Sequence, residues 1–322
     1  MPELPEVETI RRQLESEAVG RRIERARVLD QRWTRPQEPA AVERALAGRT
    51  IEAVERRGKY LILRLDGDRA LAMHLRMTGN LLLRPAELAA DGDQGDGEPP
   101  AALDLMESTR LGAPRLYESH PQARHLRAVI GLDDGSELWF TDARRFGHAV
   151  VLDGEELDAY LDARLGVEPL GEELTAGAIA SLAAGRRAPL KSFLLSQAGV
   201  AGIGNIYADE ALFRARLHPL SPAGSLRGEH CEALRSGIVE ALEVALANRG
   251  SSIDDYRDLR GERGSMQEEF QVHTREGEPC VRCGAEIRRI TVSGRSTYFC
   301  PGCQTRLRRR RSTARPTVAA RR

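Results

Sequence analysis

Lysine is almost absent from this chain. Of its 48 basic residues only Lys59 and Lys191 are lysines, and all the others are arginines. Arginine keeps its proton in proteins, whereas the lysine ammonium can exchange one. The two lysines therefore admit two interpretations, an amine retained for proton transfer or survival by chance.

Long apolar runs are also missing. No stretch approaches the roughly 20 apolar residues that cross a bilayer. The opening residues lack the basic-then-apolar pattern of a signal peptide. We therefore expect a cytoplasmic protein without a membrane partner, and separately we expect a monomer. With 322 residues, the chain is long enough for two or three domains.

The chain has no net charge, which by itself argues against binding to nucleic acid. The charge is nevertheless unevenly distributed, because the segment from Cys280 to Arg322 holds twelve arginines and a single acid, Glu286. That segment carries +11, so the residues before it sum to −11. Such segregation indicates a basic C-terminal surface facing a polyanion, and a merely soluble tail is the alternative.

The N-terminal half is predicted to be mainly β. A helix comes first, from Val7 to Val19, because its apolar side chains recur at helical spacing. From about Ile23 to Leu152 short apolar strands follow, and turns at 66–68 and 133–136 predict hairpins. Many short strands of this kind are typical of a sandwich or a barrel.

The remaining segments differ in character. An acidic, turn-rich insertion at 85–122 interrupts the strands and is expected to be a mobile surface loop. From Leu170 the pattern becomes helical, with a glycine-rich connection at 198–204 and a charged loop at 250–270. Helices are predicted at 175–184, 189–197, 205–216 and 225–248.

Four of the five cysteines form two pairs, Cys280 with Cys283 and Cys300 with Cys303, separated by sixteen residues. This is the spacing of a tetrahedral four-thiolate Zn²⁺ site, and two disulfides are the less favoured alternative in a cytoplasmic protein. Four thiolates leave no open coordination position, so one structural ion is expected. Cys231 lies in a predicted helix and is expected to be a buried small side chain.

Residues 290–299, between the cysteine pairs, predict a two-stranded ribbon with Arg295 at its turn. A guanidinium there is well placed to bind phosphate, and a solvated hairpin tip is the alternative.

Five motifs occur in order along the chain, and together they resemble the bacterial formamidopyrimidine-DNA glycosylase (Fpg) family. The resemblance extends from the N-terminus to Cys303 and leaves out only the insertion and the tail. The motifs are Met1-Pro-Glu-Leu-Pro-Glu-Val-Glu-Thr, His74-Leu-Arg-Met-Thr-Gly, Thr141-Asp-Ala-Arg-Arg-Phe-Gly, Gly202-Ile-Gly-Asn-Ile-Tyr-Ala-Asp-Glu and the four-cysteine module.

The resemblance implies an α+β multidomain fold with an N-terminal β-sandwich and flanking helices, a helix–two-turn–helix domain and a C-terminal zinc finger. It also implies a base-excision repair enzyme, a glycosylase and lyase that removes oxidised purines such as 8-oxoguanine and formamidopyrimidines from damaged double-stranded DNA. The expected segments are a catalytic domain at 1–160, a DNA-binding domain at 165–262, a zinc finger at 271–305 and a basic disordered tail at 306–322.

The resemblance assigns the first chemical steps to the N-terminus. Pro2 is the implied nucleophile, because its secondary amine forms a cationic iminium with C1′ of the deoxyribose. A free α-amine has a pKa of about 7.7–8.0, so part of it is neutral near pH 7, provided that Met1 is removed. Glu3 is the implied general acid for the sugar ring oxygen. Glu6 either orients the N-terminus or simply favours the helix dipole.

The resemblance assigns the later steps to two cations. Lys59 matches the lysine credited with proton transfer in β-elimination, and phosphate binding is its simpler alternative. Arg295 matches the arginine credited with proton donation in δ-elimination. Because a guanidinium seldom gives up its proton, we expect electrostatic clamping of a phosphate to be much of its work.

Further residues are implied to hold the DNA. Met77, Arg144 and Phe146 match the side chains that fill the gap left by an extruded nucleotide, with Phe146 splitting the stack. Asn205 opens a helix after the glycine-rich turn, where a phosphate site and a plain helix cap can coexist. The same alignment of motifs adds two candidate DNA contacts, His125 and Arg186.

Two alternatives stay open. An endonuclease VIII-type enzyme for oxidised pyrimidines is disfavoured by Leu4, where that branch has glycine, and by the Arg145-Phe146 pair. A non-catalytic zinc protein would bind damaged DNA without nicking it. The 250–270 loop is more charged and less aromatic than is usual in the family, and 273–275 read His-Thr-Arg in place of Tyr-Gly-Arg. The resemblance is therefore weakest for lesion preference.

Overall fold

The computed structural model describes residues 2–86, 125–253 and 256–308. Residues 87–122 of the insertion predicted at 85–122, and residues 309–322 of the tail predicted at 306–322, lie outside the described residues. The chain divides into two units. The first comprises Met1–Gly171, Ser196–Gly204 and Glu240–Phe270, and the second comprises Glu172–Leu195, Asn205–Val239 and Gln271–Arg322.

Helix α1 (Leu4–Ala18) opens the first unit. It begins before the predicted Val7. Pro5 is compatible with this earlier start because it lies in the first turn, where a backbone N–H has no partner within the helix and its absence costs no hydrogen bond. The helix ends one residue short of the predicted Val19 and is followed by Gly20, which has a φ of +84°. Its predicted apolar face, Val7, Ile10, Leu14 and Ala18, is fully buried.

Two four-stranded antiparallel sheets follow. One contains β1 (Ile23–Val28), β5 (Gly79–Arg84), β6 (Leu126–Leu132) and β7 (Glu137–Asp142) in the order β1-β6-β7-β5. The other contains β2 (Ile51–Arg57), β3 (Tyr60–Leu65), β4 (Arg69–His74) and β8 (His148–Asp153) in the order β2-β3-β4-β8. Both predicted hairpins, β3–β4 and β6–β7, are present.

The core lies between these sheets. Successive side chains of a strand point to opposite faces. Leu61 and Leu63 of β3 join the buried cluster that contains Phe140 of β7 and the apolar face of α1. Tyr60 and Ile62 face the other way, into a second cluster with Leu157, Leu161 and Leu165. The predicted sandwich with flanking helices is therefore confirmed.

Two short helices also belong to this unit. Helix α2 (Pro39–Leu46) lies in a stretch where mainly strand was predicted, and that prediction was wrong there. Its eight residues bury only Val42 and Leu46, too few for the helical period to stand out. Helix α3 (Gly154–Asp162) is capped by Asp153, whose Oδ1 accepts a hydrogen bond from the Glu156 N–H at 2.9 Å.

The second unit is helical and ends in a ribbon. Its helices are α4 (Ala176–Ala183), α5 (Leu190–Leu195), α6 (Asn205–Arg214) and the first part of α7 (Gly228–Ala247), each within a few residues of its predicted range. Strands β9 (Arg288–Val292) and β10 (Arg295–Phe299) form the predicted ribbon. Ser293 and Gly294 make its turn with φ of 50° and 75°, as a two-residue hairpin turn requires.

Within the described ranges, none of the helices is both long enough and apolar enough to cross a membrane.

Candidate active site

The N-terminal residues pack closely against the glycine-containing segment at 202–204. Pro2 is buried, and the Glu3 side chain is only 1% exposed. The Leu4 N–H donates to the Gly202 carbonyl at 3.1 Å. A Cβ atom on Gly204 would lie 2.2 Å from Cδ of Glu3, and one on Gly202 would lie 2.6 Å from Cδ1 of Leu4. Only glycine at these two positions lets the 202–204 segment approach so closely.

The Glu6 carboxylate connects this segment to a distant part of the same unit. It is fully buried, and its Oε2 accepts from the Glu3 N–H at 2.8 Å while its Oε1 accepts from the Ser251 N–H at 2.7 Å. The Tyr256 hydroxyl donates to the Glu6 carbonyl at 3.2 Å. Burial and the neighbouring Glu6 and Asp258 carboxylates raise the pKa of Tyr256 well above its usual value, so this donor keeps its proton. Glu6 therefore orients the N-terminus.

The turn that carries Lys59 is anchored by two carboxylates. Arg56 is paired with Glu8 of α1 at 3.0 Å and with Glu168 at 3.0 Å, and Arg57 is paired with Glu168 at 3.0 Å. Arg56, Glu8 and Glu168 are all largely buried. Networked ion pairs of this kind hold geometry better than an isolated surface pair. The network fixes the β2–β3 turn, and Lys59 with it, against α1.

A cavity of about 570 Å³ opens beside Lys59, whose side chain is 5% exposed. No carboxylate occurs among the described residues that line this cavity. Its wall is therefore suited to an anion. The charged and imidazole side chains of the wall are Arg35, Lys59, Arg76, Arg164, His74 and His148.

Two stacked imidazoles, His74 and His148, form one side of this cavity, with ring centroids 5.6 Å apart. Burial, then the charges of Arg76, His148 and Lys59, lowers the pKa of His74 well below its usual value. Nδ1 of the neutral His74 ring accepts from the Arg76 N–H at 3.0 Å, so its proton is on Nε2. Burial, then Arg76 and Arg164, lowers the pKa of His148 to about 4.

The low pKa of His148 predicts acid sensitivity. Between about pH 6.5 and pH 4 the unfolded chain binds more protons at this residue than the folded one, so the free energy of unfolding falls as the pH falls. The loss should be at most about 3 kcal/mol. Urea unfolding at pH 7 and pH 4.5 should show a smaller loss for His148→Gln than for wild type. His230→Gln, on α7, is the control, and an equal loss in all three proteins would contradict the prediction.

The predicted gap-filling residues lie on two loops of the first unit. Met77 is half-buried in the turn before β5, and Arg144 and Phe146 are exposed after β7. The Arg144 guanidinium lies over the Phe146 ring, 4.8 Å from its centroid, and 52% of Phe146 is exposed. An exposed phenylalanine beside a guanidinium is suited to base contacts. His125 belongs to the same unit and is half-buried.

The other predicted site residues lie in the second unit. Arg295 is exposed at the start of β10, and the exposed Arg186 lies 5.8 Å from the Phe193 ring centroid. Asn205 begins α6, and its Nδ2 donates to the Ser296 carbonyl at 3.1 Å. Its Oδ1 is buried without a hydrogen-bond partner among the described residues.

The two lysines have different surroundings. Lys191 is completely buried, and its Nζ donates to Asp209 Oδ1 and to the Asn205 carbonyl, each at 2.6 Å. The other oxygen of Asp209 lies 2.9 Å from Nδ1 of His273. Lys191 therefore stabilises the start of α6, whereas Lys59 faces a cavity.

The four cysteine Sγ atoms of the C-terminal module all lie within 4.8 Å of one another. Cys280 and Cys303 are 3.8 Å apart and Cys283 and Cys300 are 3.5 Å apart, so neither pair is a disulfide. These spacings fit a tetrahedron of thiolates about 2.3 Å from a central Zn²⁺ ion. The donor set therefore fits zinc. Cys231 is free and buried, as predicted.

Several contributors to the site were missed by the sequence reasoning. Glu168, His148 and Asp142 act on partners far away in the chain, and nothing local marks the first two. Asp142 immediately precedes the loop that carries Arg144, and an aspartate before a loop is a known turn signal.

Comparison with known proteins agrees with this architecture. The family model for the formamidopyrimidine-DNA glycosylase N-terminal domain matches residues 1–149, and its H2TH-domain model matches residues 165–257. The model for the zinc finger found in FPG and IleRS matches residues 277–306. The three models define a zinc-finger DNA glycosylase.

Comparison with the full sequences of individual proteins identifies the same family. A formamidopyrimidine-DNA glycosylase of Chloroflexus aurantiacus is 44% identical over 306 residues, 94% of this chain and 98% of that protein. One of a Roseiflexus species is 42% identical over 94% of this chain and 100% of that protein. The chain therefore belongs to the formamidopyrimidine-DNA glycosylase family, and it is an enzyme of the glycosylase class.

Solved structures extend the likeness to DNA complexes. The complex of Lactococcus lactis Fpg with DNA containing an abasic site has a TM-score of 0.77 at 36% identity, covering 94% of this chain and 100% of that one. The complex of the same protein with Fapy-dG-containing DNA has a TM-score of 0.76 at 35% identity, covering 94% and 100%.

Proposed function

We propose that this enzyme excises oxidised purines, 8-oxoguanine and formamidopyrimidines, from duplex DNA and then cleaves the strand at the resulting site. The observation that carries the proposal is the buried Pro2-Glu3 pair, held by Glu6 and by Gly202 and Gly204. An N-terminus without a function would not require these contacts, whereas a nucleophile must be held in a fixed geometry.

The first half of the reaction follows from these two residues. Glu3 gives a proton to the sugar ring oxygen, which weakens the bond between that oxygen and C1′. The lone pair of the Pro2 nitrogen forms a bond to C1′, and the damaged base leaves with the electrons of the glycosidic bond. The Pro2 nitrogen then loses its N–H proton, which balances the charge of the departing base. The bond between C1′ and the ring oxygen breaks, and the oxygen keeps the proton from Glu3. The product is a cationic iminium between Pro2 and an open sugar, which can accept electrons without further protonation.

The second half cleaves the strand. The iminium acidifies the C2′ proton, and loss of that proton expels the 3′ phosphate. A second elimination expels the 5′ phosphate, and water then releases the sugar fragment from Pro2. We assign proton transfer in the first elimination to Lys59 and stabilisation of the second departing phosphate to Arg295, because an ammonium can exchange a proton and a guanidinium holds its own.

DNA contacts complete the proposal. The cavity beside Lys59, whose described lining holds no carboxylate, accepts backbone phosphate, and Met77, Arg144 and Phe146 occupy the gap left by the extruded nucleotide. Asn205 binds a backbone phosphate of the DNA at the start of α6. His125 and Arg186 are assigned as additional DNA contacts. One structural Zn²⁺ ion on the four cysteines, a monomeric state and a cytoplasmic site of action belong to the same proposal.

Borohydride trapping tests this function. The processed protein, incubated with 8-oxoguanine duplex and borohydride, should give a covalent adduct that peptide mass spectrometry locates on Pro2. The same oligonucleotide without a lesion is the control. No adduct from correctly processed protein would reject the mechanism and favour a binding protein without activity. Preferential cleavage of oxidised pyrimidines in a lesion panel would instead favour the endonuclease VIII type.

A further inference from the structure

Two loops with proposed DNA-contacting side chains leave the first sheet side by side. Gly79, the first residue of β5, pairs with Asp142, the last residue of β7. Met77 lies just before β5, whereas Arg144 and Phe146 lie just after β7. Because paired strand ends share one edge, the pairing brings both loops to the same place.

A single carboxylate binds both loops. The Asp142 side chain is 1% exposed, and its Oδ1 accepts from the Thr78 hydroxyl of one loop and from the Arg144 N–H of the other, the latter at 3.1 Å. Its Oδ2 accepts from the Gly147 N–H at 2.7 Å. The Thr78 oxygen also accepts from the Arg144 N–H at 3.1 Å. Asp142 thus holds each end of the second loop and ties it to the first.

These loops need such an anchor. Arg76 and Arg145, one in each loop, have φ of 56° and 60°, in the left-handed region that residues with a side chain adopt at a cost. A Cβ on Gly147 would lie 2.7 Å from Cζ of Phe140, so the second loop also returns tightly to the sheet. Local sequence preference does not favour this shape, and the bonds to Asp142 oppose its relaxation.

We propose that Asp142 is a positioning residue for nucleotide extrusion. By binding both loops, it makes Met77 and the Arg144–Phe146 pair enter the base stack as one rigid body. The inference rests on the proposed function and deepens it, because it concerns the step that exposes the damaged nucleotide. Asp142 acts through the two loops and contacts neither the base nor the sugar.

The chemistry of the group makes the test specific. Two carboxylate oxygens accept from three donors, the Thr78 hydroxyl and two backbone N–H groups. Asn has nearly the same shape, but its NH₂ group must face at least one of these donors. Asp142→Asn therefore loosens the loops with almost no change in volume.

The experiment compares a substrate that needs the wedge with one that does not. Single-turnover excision of 8-oxoguanine from duplex DNA should fall about 100-fold in Asp142→Asn, because small misplacements of positioning groups have effects of this size. Borohydride trapping on single-stranded abasic DNA, which has no stack to split, should stay within about threefold of wild type. A 2-aminopurine beside the lesion should also show slower and smaller unstacking.

Two further variants accompany this comparison. Thr78→Val removes the hydroxyl that joins the first loop to Asp142 and to the Arg144 N–H, while Asp142 keeps its bonds to the second loop, so it should show the same duplex-specific loss to a smaller extent. Asp134→Asn is the matched control, because its Oδ1 accepts from the Ser136 N–H at 2.9 Å and hydroxyl at 2.6 Å in the β6–β7 turn. It should leave both assays and the 2-aminopurine signal unchanged.

The possible outcomes distinguish a failure of the positioning role of Asp142 from a failure of the proposed glycosylase and lyase function. Equal losses on duplex and single-stranded substrate, or wild-type activity of Asp142→Asn on duplex, would overturn the positioning role. If Asp142→Asn does not fold, Thr78→Val decides, and an unchanged duplex rate there overturns the inference. Absence of any adduct from the wild-type enzyme would instead reject the proposed function itself.

Discussion

Gly204→Ala is expected to slow base excision by roughly two to four orders of magnitude, the range that a general acid contributes. A Cβ at residue 204 would lie 2.2 Å from Cδ and 2.3 Å from Oε1 of Glu3, so the Glu3 carboxyl must leave its present position. Glu3 is 1% exposed and has little room in which to move. Single-turnover release of 8-oxoguanine from duplex DNA measures the effect.

The control for this prediction is Gly228→Ala at the start of α7, where a Cβ would meet nothing within 4 Å. That variant should excise at the wild-type rate and be as stable or slightly more stable. Trapping at a preformed abasic site should fall less than excision in Gly204→Ala, because no base has to depart. If excision by Gly204→Ala matches wild type, or if both assays fall equally, the carboxyl of Glu3 is not the group displaced.

Removal of zinc is expected to unfold the finger and abolish duplex binding. Zinc contributes an apparent 10–16 kcal/mol or so to small structural modules of this kind. The buried apolar cluster of the finger is small and includes two of the ligands themselves, Cys280 and Cys300, packed with Phe213, Val272 and Ile287. Circular dichroism and DNA binding, followed during chelation and after zinc is restored, measure both effects.

Single cysteine replacements make this prediction specific. Cys300→Ser should lose zinc and duplex affinity together. Cys231→Ser, on α7 and outside the cluster, should keep one zinc ion per chain by metal analysis and bind DNA normally. Retention of stoichiometric zinc in Cys300→Ser, or duplex binding that survives complete chelation, would show that the four-thiolate site does not support the finger.

Features encoded within a short stretch of chain could be predicted from the sequence. The apolar residues of α1 recur at helical spacing, and the β3–β4 and β6–β7 hairpins have turn residues between apolar runs. The two cysteine pairs have the spacing of a zinc site. Helix α2 was not predicted, because its eight residues have only two buried side chains and therefore show almost no helical periodicity.

Long-range pairings could not be predicted in the same way. Glu168 anchors Arg56 and Arg57 from more than a hundred residues away, and Glu6 reaches Ser251 across 245 residues. Such partners meet only when the whole unit has folded, and no local pattern in the sequence marks them. The individual roles of Pro2 and Glu3 came from family resemblance, because an N-terminal proline carries no recognisable pattern of its own.

The burial of Pro2 has a practical consequence for anyone who handles this protein. An affinity tag fused to the N-terminus would convert the secondary amine into an amide, and a retained initiator methionine would do the same. On the proposed mechanism, such material would be chemically inert, and with its finger and basic surfaces intact we expect it still to bind damaged duplex. Active-site titration should therefore precede any comparison of preparations, and tags should be placed at the other end.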